Sequence, residues 1–314
     1  MSEQIMDAAP SAVDERGSQT TQAGRPAKPA AGEAGRGRKA FDGTLNVFSH
    51  AFLVVWGLLT ALPLLWVVLS SFKDDAEILG DPWGLPSALR FDNFARAWTH
   101  GNIGQYFVNT GIVLAGSLTL TMLLGATAAY ALARYKFVGS RLVYFVFVGG
   151  MMFPVVLAFV PLFKIVGGVG LRDTLPGLML IYTAYSLPFT VFFLTAFFRT
   201  LPDSIAEAAY IDGCGPFRTF FRVMLPMAKP GLISVGIFNF LGHWNQYLLP
   251  VVLITSDEKQ VLAQGLANLA ISEGYRGDYS RLFAGLTLAM LPVLVVYAVF
   301  QRQVQSGLTA GQMK

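Results

Sequence analysis

Two stretches of this 314-residue chain hold side chains whose types and spacing could do chemistry. The first runs from Leu201 to Pro226 and reads LPDSIAEAAYIDGCGPFRTFFRVMLP. Ser204 and Glu207 stand at the spacing of a capping box, in which Ser204 caps a helix and Glu207 returns to its backbone N–H. The helix so begun carries Ala208, Ala209, Tyr210 and Ile211, and Gly213 follows as a natural stop. Gly215-Pro216 restarts a second helix with proline at its first position. That helix bears Phe217, Phe220, Phe221 and Met224 as an apolar stripe, with Arg218 and Arg222 on another side, and Leu225-Pro226 ends it. The arrangement is mechanical rather than catalytic. A first helix of about two and a half turns is too short to be stable alone in water and needs a surface to pack on. The small Ala208 and Ala209 permit close approach by a partner.

The second stretch is Asn239 to Tyr247. On a helix, Asn239, His243 and Gln246 share one face at i, i+4 and i+7, with Phe240, Trp244 and Tyr247 beside them and Asn245 next to Trp244. Neutral hydrogen-bonding groups next to aromatic faces suit a sugar, whose hydroxyls need partners and whose C–H faces stack on rings. A permanently charged substrate would demand an Arg or Lys inside the membrane. The same residues admit a plainer reading, because Asn, Gln and His bond to neighbouring helices, and Trp and Tyr mark the membrane interface. Tyr182, Tyr185 and Ser186 are further candidates for lining a path.

Other chemistry is missing from the sequence. The histidines, His50, His100 and His243, are scattered, so no metal-ligand spacing exists. Cys214 is the single cysteine, which excludes an internal disulfide. No Gly-x4-Gly-Lys-Ser/Thr run is present, so the chain has no phosphate loop for ATP. No catalytic residue, metal or cofactor is therefore expected on this chain. The net charge of +4 does not point to nucleic acid, because the placement of the charges matters more than their sum.

The elements that must position these residues are membrane helices. Apolar residues make up 54% of the chain and charged residues 13%, and the mean hydropathy is +0.53. A soluble domain carries about 25% charged residues. Six apolar runs, at about 48–70, 107–133, 142–163, 177–198, 230–252 and 282–300, are long enough to cross a hydrocarbon core of about 30 Å as helix. None contains Asp, Glu, Lys or Arg. Pro63, Pro154, Pro161, Pro188, Pro250 and Pro292 predict kinks, and in the third run Gly149, Gly150, Pro154 and Pro161 could break the helix. The expected fold is an all-α membrane protein of six transmembrane helices spanning residues 45–314. Residues 1–44 form a tail whose Ala-, Gly-, Pro-, Ser- and Arg-rich composition cannot bury a core and is expected to be disordered. Fifteen Lys and Arg fall on the tail's side of the membrane and eight on the other, which places both termini in the cytoplasm. The longest structured cytoplasmic segment is then 199–229, between spans four and five. The outer segments 71–106 and 253–281 are expected to hold short helices lying on the membrane surface.

The Leu201–Pro226 stretch resembles the cytoplasmic loop of permease subunits of bacterial binding-protein-dependent ABC importers. The family pattern is Glu-Ala-Ala, three residues, Gly, nine residues, Ile, one residue, Leu-Pro. This chain has Glu207-Ala208-Ala209, Gly213, Val223 in place of Ile, and Leu225-Pro226. The resemblance extends from about residue 45 to the C-terminus and is nearest the carbohydrate branch, in the type like the maltose and glycerol-phosphate permeases. It rests there on Ser70-Ser71-Phe72-Lys73, on Asn93-Phe94, on Trp244-Asn245-Gln246-Tyr247 where the branch commonly has Trp-Asn-Glu-Phe, and on Gly307-Leu308-Thr309-Ala310-Gly311.

The resemblance implies a permease of the bacterial plasma membrane with no enzymatic activity of its own. It would pair with a similar second permease and couple through 199–229 to an ATPase dimer, which carries the ATP and Mg. It would receive sugar from an extracytoplasmic solute-binding protein. Glu207 would contact the ATPase, and Gly213 would allow the turn between the two helices. An amino sugar or chito-oligosaccharide is the substrate to which the general resemblance points. Two other classes compete. An ion-coupled secondary transporter would need ionisable groups in its spans, where only His50 and His243 occur. A membrane-embedded enzyme would need carboxylates or a metal site, whereas Asp203, Glu207 and Asp212 fit capping and turn positions. Both leave the Glu-Ala-Ala spacing unexplained.

Overall fold

The computed structural model describes residues 33–309, and every regular element among them is helical. In chain order these are α1 (Glu33–Ser70), α2 (Asp75–Gly80), α3 (Asp92–Thr99), α4 (Ile103–Arg134), α5 (Ser140–Met152), α6 (Phe159–Gly168) and α7 (Leu175–Thr200), followed by α8 (Asp203–Ile211), α9 (Pro216–Thr219), α10 (Leu225–Met227), α11 (Lys229–Trp244), α12 (Leu248–Leu253), α13 (Leu262–Arg276) and α14 (Tyr279–Thr309). Two compact units divide at residue 60. The described part of the first is the beginning of α1, with Phe48, Phe52 and Trp56 exposed along it. Residues 1–32 of the expected tail lie outside the described residues. Residues 33–44, also expected to be disordered, are helical. Extending an existing helix adds a hydrogen bond per residue without a new nucleation cost, and this lets α1 continue into a weakly helix-forming segment.

Among the described residues, four helices are long and apolar enough to cross a membrane: Asn46–Ser70, Ile103–Arg134, Leu175–Thr200 and Tyr279–Gln301. Two further pairs qualify only if each is counted as one bent span, Ser140–Met152 with Val155–Gly168 at 98°, and Pro216–Met227 with Lys229–Trp244 at 76°. The third run, expected over 142–163 with Gly149, Gly150, Pro154 and Pro161 as points where the helix could break, does break, at Phe153–Pro154. Phe153 is extended at φ −78°, ψ 119°, as a residue before proline prefers, and Pro154 opens a 3-10 turn over Val155–Ala158. The fifth run, expected as one helix over 230–252, stops at Trp244 and resumes at Leu248. In a continuous helix the Pro250 ring would clash with the carbonyl of Gln246; after the break it sits in the first turn of α12, where the missing N–H is tolerated. Pro63, Pro188 and Pro292 lie inside α1, α7 and α14.

The centre of the second unit is the pairing of α4 with α7. Ser117, Thr121, Gly125 and Ala129 recur every four residues on α4 and are all buried, a small-residue stripe that admits close helix approach. A Cβ on Gly125 would stand 2.4 Å from Cγ2 of Thr190 on α7, so the backbones meet there more closely than any side chain allows.

Segments 71–106 and 253–281 hold α2, α3, a 3-10 turn over Asp257–Lys259 and α13. Two sequence features twenty residues apart form one knot here. The buried Asn93 donates to the carbonyls of Ser71 and Lys73, both at 2.9 Å, and the Phe94 ring lies 5.1 Å from that of Phe72. Lys73, only 1% exposed, donates to the Asp81 and Pro82 carbonyls.

A second knot ties the α6–α7 loop to the α12–α13 loop. Asp173 holds a positive φ of 55° and accepts from the Thr255 and Ser256 backbone N–H groups, the Ser256 hydroxyl and Lys259 Nζ. The Ser256 hydroxyl, then the backbone donors, hold its carboxyl well below the usual carboxylate range. A depressed folded-state pKa contributes stability that is present above the ordinary Asp value of about 3.9 and is lost as pH falls toward the folded value. Asp173→Ala is therefore expected to lower the melting temperature in detergent by roughly 2–4 °C at pH 7. The gap from wild type should narrow below about pH 4. An equal gap at both pH values would show that the charge contributes nothing.

Candidate functional site

The loop between α7 and α11 is built on the apolar cluster of Ala126, Ala129, Tyr130, Leu194, Phe198, Phe220, Met224, Ala228 and Val235. Tyr130 packs edge-on to Phe198 at 5.5 Å and tilted against Phe220 at 4.9 Å. Of the expected apolar stripe, Phe220 and Met224 face inward, while Phe217 is 82% exposed. Between α9 and α10 the chain widens into a π turn over Phe220–Met224, which accommodates Pro226 one turn later.

The capping box expected at Ser204 and Glu207 does not form. α8 starts one residue earlier, at Asp203, with Pro202 in the cap position and no side-chain cap. Pro202 already has the φ that leads into a helix, and Asp203 is taken by Arg134. A capping box does form elsewhere, where Asp74 and Glu77 bond reciprocally at the start of α2. The Glu77 backbone N–H holds the Asp74 carboxyl below its ordinary pKa. Glu207 is consequently left exposed on α8, with no hydrogen-bond or ion-pair partner among the described residues. Ala208 is exposed beside it, whereas Ala209 is buried against the chain's own core, so only one of the two alanines is open to a partner.

Gly213 forms the turn expected of it. At φ 78° it donates to the Tyr210 carbonyl at 3.0 Å, and the next residue, Cys214, donates to the Ala209 carbonyl at 2.9 Å. This pair of bonds is the Schellman motif, which needs the left-handed region at this residue. Leu225 is half-buried and Pro226 exposed at the end of the second helix.

The second stretch divides between two cavities. Asn239, His243 and Gln246 line one of about 320 Å³, together with Tyr182, Tyr185 and Ser186 of α7 and Phe153 at the α5 break. No charged side chain lines it. His243 is 5% exposed and bridges two helices, sharing hydrogen bonds with Ser117 of α4 at 2.8 Å and Ser186 of α7 at 2.7 Å. Both its nitrogens are thus occupied. Asn239 donates to Thr190 at 2.9 Å, which leaves its carbonyl oxygen for other work. The Gln246 amide and the Tyr185 hydroxyl have no partner among the described residues.

Trp244 and Asn245 turn the other way, into a cavity of about 400 Å³ lined mainly by leucine, alanine, valine and Met290. Trp244 is a packing residue, stacked with Phe240 at 5.9 Å, edge-on to Phe107 at 5.3 Å, and donating to the Ala289 carbonyl at 3.2 Å. Asn245 caps α11 and bonds back to the Leu241 carbonyl. Tyr247 lines neither cavity and is 41% exposed. The rings that face the polar trio are therefore Tyr182, Tyr185, Phe153, Phe189 and Phe238 rather than Trp244 and Tyr247. Ser117 and Thr190, which bond to His243 and Asn239, are not among the residues singled out from the sequence.

Residues 121–309 match the family described as binding-protein-dependent transport system inner membrane component. The chain is 51% identical over 279 residues to the diacetylchitobiose uptake system permease protein NgcG of Streptomyces coelicolor, covering 89% of this chain and 92% of that one. It is 34% identical over 254 residues to the trehalose transport system permease protein SugB of Mycobacterium tuberculosis, covering 81% and 92%. Its fold is similar to a chain in the crystal structure of a bacterial ABC transporter that imports the acidic polysaccharide alginate, with a TM-score of 0.75 and 22% identity over 83% of this chain and 96% of that one.

Proposed function

Because the chain belongs to the family of binding-protein-dependent transport system inner membrane components, multi-pass permease subunits of the membrane rather than enzymes, we propose that it forms half of the translocation path of an ATP-driven importer of an uncharged sugar. A similar second permease completes the path. An ATPase dimer, which binds the ATP and Mg, docks on the 199–229 loop, and an extracytoplasmic binding protein delivers the sugar. Both chain termini and the 199–229 loop lie on the cytoplasmic side in this reading.

The observation that carries the coupling is the exposed, unpartnered Glu207 beside Ala208, on a short helix whose exit is fixed by Gly213. A carboxylate freed from capping is available to a partner's donors. ATP binding closes the ATPase dimer and draws the loops of the two permeases together. The spans then rotate to open outward, and hydrolysis resets them.

For the substrate, the charge-free cavity supports a neutral sugar, with the Asn239 carbonyl, the Gln246 amide and the Tyr185 hydroxyl as its hydrogen-bonding groups and Tyr182 and Phe153 as apolar walls. The relation to a diacetylchitobiose permease makes an amino-sugar oligosaccharide the first candidate. The cavity is less suited to an ion-coupled carrier, which would place an ionisable pair there.

The test is co-purification in mild detergent of the tagged chain expressed with its neighbouring genes. A second permease, an ATPase and a binding protein are expected to stay bound, and the ATPase to be lost from a Gly213→Glu variant. The binding protein so obtained is expected to bind diacetylchitobiose in calorimetry. A chain that emerges alone under conditions that preserve known complexes would overturn the importer reading.

A further inference from the structure

The end of α4 holds both ends of α8. Arg134 is the last residue of α4 and Tyr135 its cap. The Arg134 side chain is only 10% exposed, although it stands at a helix end. Its guanidinium donates to the Asp203 carboxylate and, at 2.6 Å, to the Leu201 carbonyl, both at the entry to α8. The Tyr135 hydroxyl meets the Tyr210 hydroxyl at 3.0 Å, at the exit of α8. Between these two grips, Ile205 and Ala206 rest on the cluster that contains Ala126, Ala129 and Tyr130 of α4.

We infer that Arg134 and Tyr135 are positioning residues that lock α8 to α4, so that force on α8 travels along α4 to Ser117 and the His243 bridge of the cavity. The inference rests on the reading of α8 as the element that receives the ATPase's movement. Its physical ground is connectivity. By chain alone, α8 is tied to α7 and to α9 and not to α4. A pull reaching only α7 would move Ser186 away from Ser117 and shear the hydrogen bonds that His243 makes to both. With α8 gripped at entry and exit, α4 and α7 move together, and the wall of the cavity they share shifts as a unit. Ser117 lies seventeen residues from Arg134 on the same helix, about 25 Å along its axis.

The two bonds of the Arg134 grip should not weigh equally. Asp203 is 80% exposed, so its ion pair is screened and weak. The bond from the buried guanidinium to the Leu201 carbonyl is the stronger hold, and Arg134→Ala should loosen α8 more than Asp203→Asn.

The experiment uses the assembled importer in lipid vesicles. With Cys214→Ala as background, spin labels at the exposed Ser204 on α8 and at Leu123 on the exposed side of α4 report the distance between the two helices. In the parent chain the distance distribution is expected to be narrow, and to stay so between the nucleotide-free and ATP-trapped states while the four components remain together. In the Arg134→Ala/Tyr135→Phe double variant it should broaden, and stimulation of ATP hydrolysis by the binding protein should fall at least fivefold. Arg134→Lys, which keeps one donor toward Leu201, should recover part of the stimulation. Should the double variant fail to assemble, Tyr135→Phe alone removes a single hydroxyl at a half-exposed contact and should give a smaller broadening. A narrow distribution or full stimulation in every assembled variant would overturn the lock. A parent chain that binds no ATPase would instead overturn the reading on which the lock rests.

Discussion

Gly213→Glu is expected to abolish sugar uptake, to below about a tenth of the parent rate, and to leave membrane insertion and the helical content of the chain intact. The reason is the backbone. Gly213 sits at φ 78°, where an L-residue other than Asn or Asp is strained, and its conformation lets both Schellman bonds close over the end of α8. Nothing lies within 4 Å of where a Cβ would stand, so the new side chain meets no obstacle within this chain. The strain, of the order of 1–2 kcal/mol, is too small to unfold a multi-span helical protein. It is enough to favour a different exit from α8 and hence a different angle between α8 and α9. The Glu side chain would also project into open space on the side where the proposed ATPase would dock. Gly213→Asn separates the two effects, because Asn tolerates the left-handed region and brings no charge. It should keep at least about half of the uptake, measured in whole cells at matched membrane abundance. Equal loss in both variants would assign the defect to the occupied space rather than to the turn. Normal uptake in Gly213→Glu would remove the loop from the coupling path altogether.

Much of this loop was legible in the sequence because its constraints are local. A left-handed turn asks for glycine, a helix start tolerates proline, and both sit where the chain uses them, at Gly213 and Pro216. The failure of the expected capping box was not legible, because α8 starts one residue earlier with Pro202 in the cap position and Asp203 held by Arg134, sixty-nine residues away in sequence. Four of the expected membrane runs followed from apolar length, and Pro154 marked where the third could break, whereas the break at Asn245 depends on where the Pro250 ring meets the preceding turn. Helical spacing placed Asn239, His243 and Gln246 on one face, and they do line one cavity. Spacing carries no information about which of their polar atoms are already paired, because the partners Ser117, Ser186 and Thr190 come from other helices. Nor could it tell that Trp244, one residue past His243, packs into a different cluster.

That distinction predicts opposite phenotypes for two neighbours on the same face. His243→Ala removes the shared partner of Ser117 and Ser186 in a buried setting; the Ser117 hydroxyl keeps only its long bond to the Leu114 carbonyl at 3.4 Å, and the Ser186 hydroxyl is left without a hydrogen bond, which costs about 1–3 kcal/mol. A fall of at least about 4 °C in the detergent melting temperature is expected. Any loss of transport should follow the loss of folded complex, with the apparent KM for the sugar unchanged in the fraction that survives. Gln246→Ala strands nothing, since its amide has no partner among the described residues. Its melting temperature should stay within about 1 °C of the parent, as for a substitution that breaks no internal bond. If Gln246 meets the sugar, losing a neutral hydrogen bond of about 0.5–1.5 kcal/mol raises the transport KM roughly three- to tenfold. Uptake kinetics and melting curves on the same two variants decide the matter. A stable Gln246→Ala with unaltered kinetics would take this face of α11 out of the path. A His243→Ala of full stability would mean that the two serines find new partners and that the bridge between α4 and α7 is not what holds the cavity's shape.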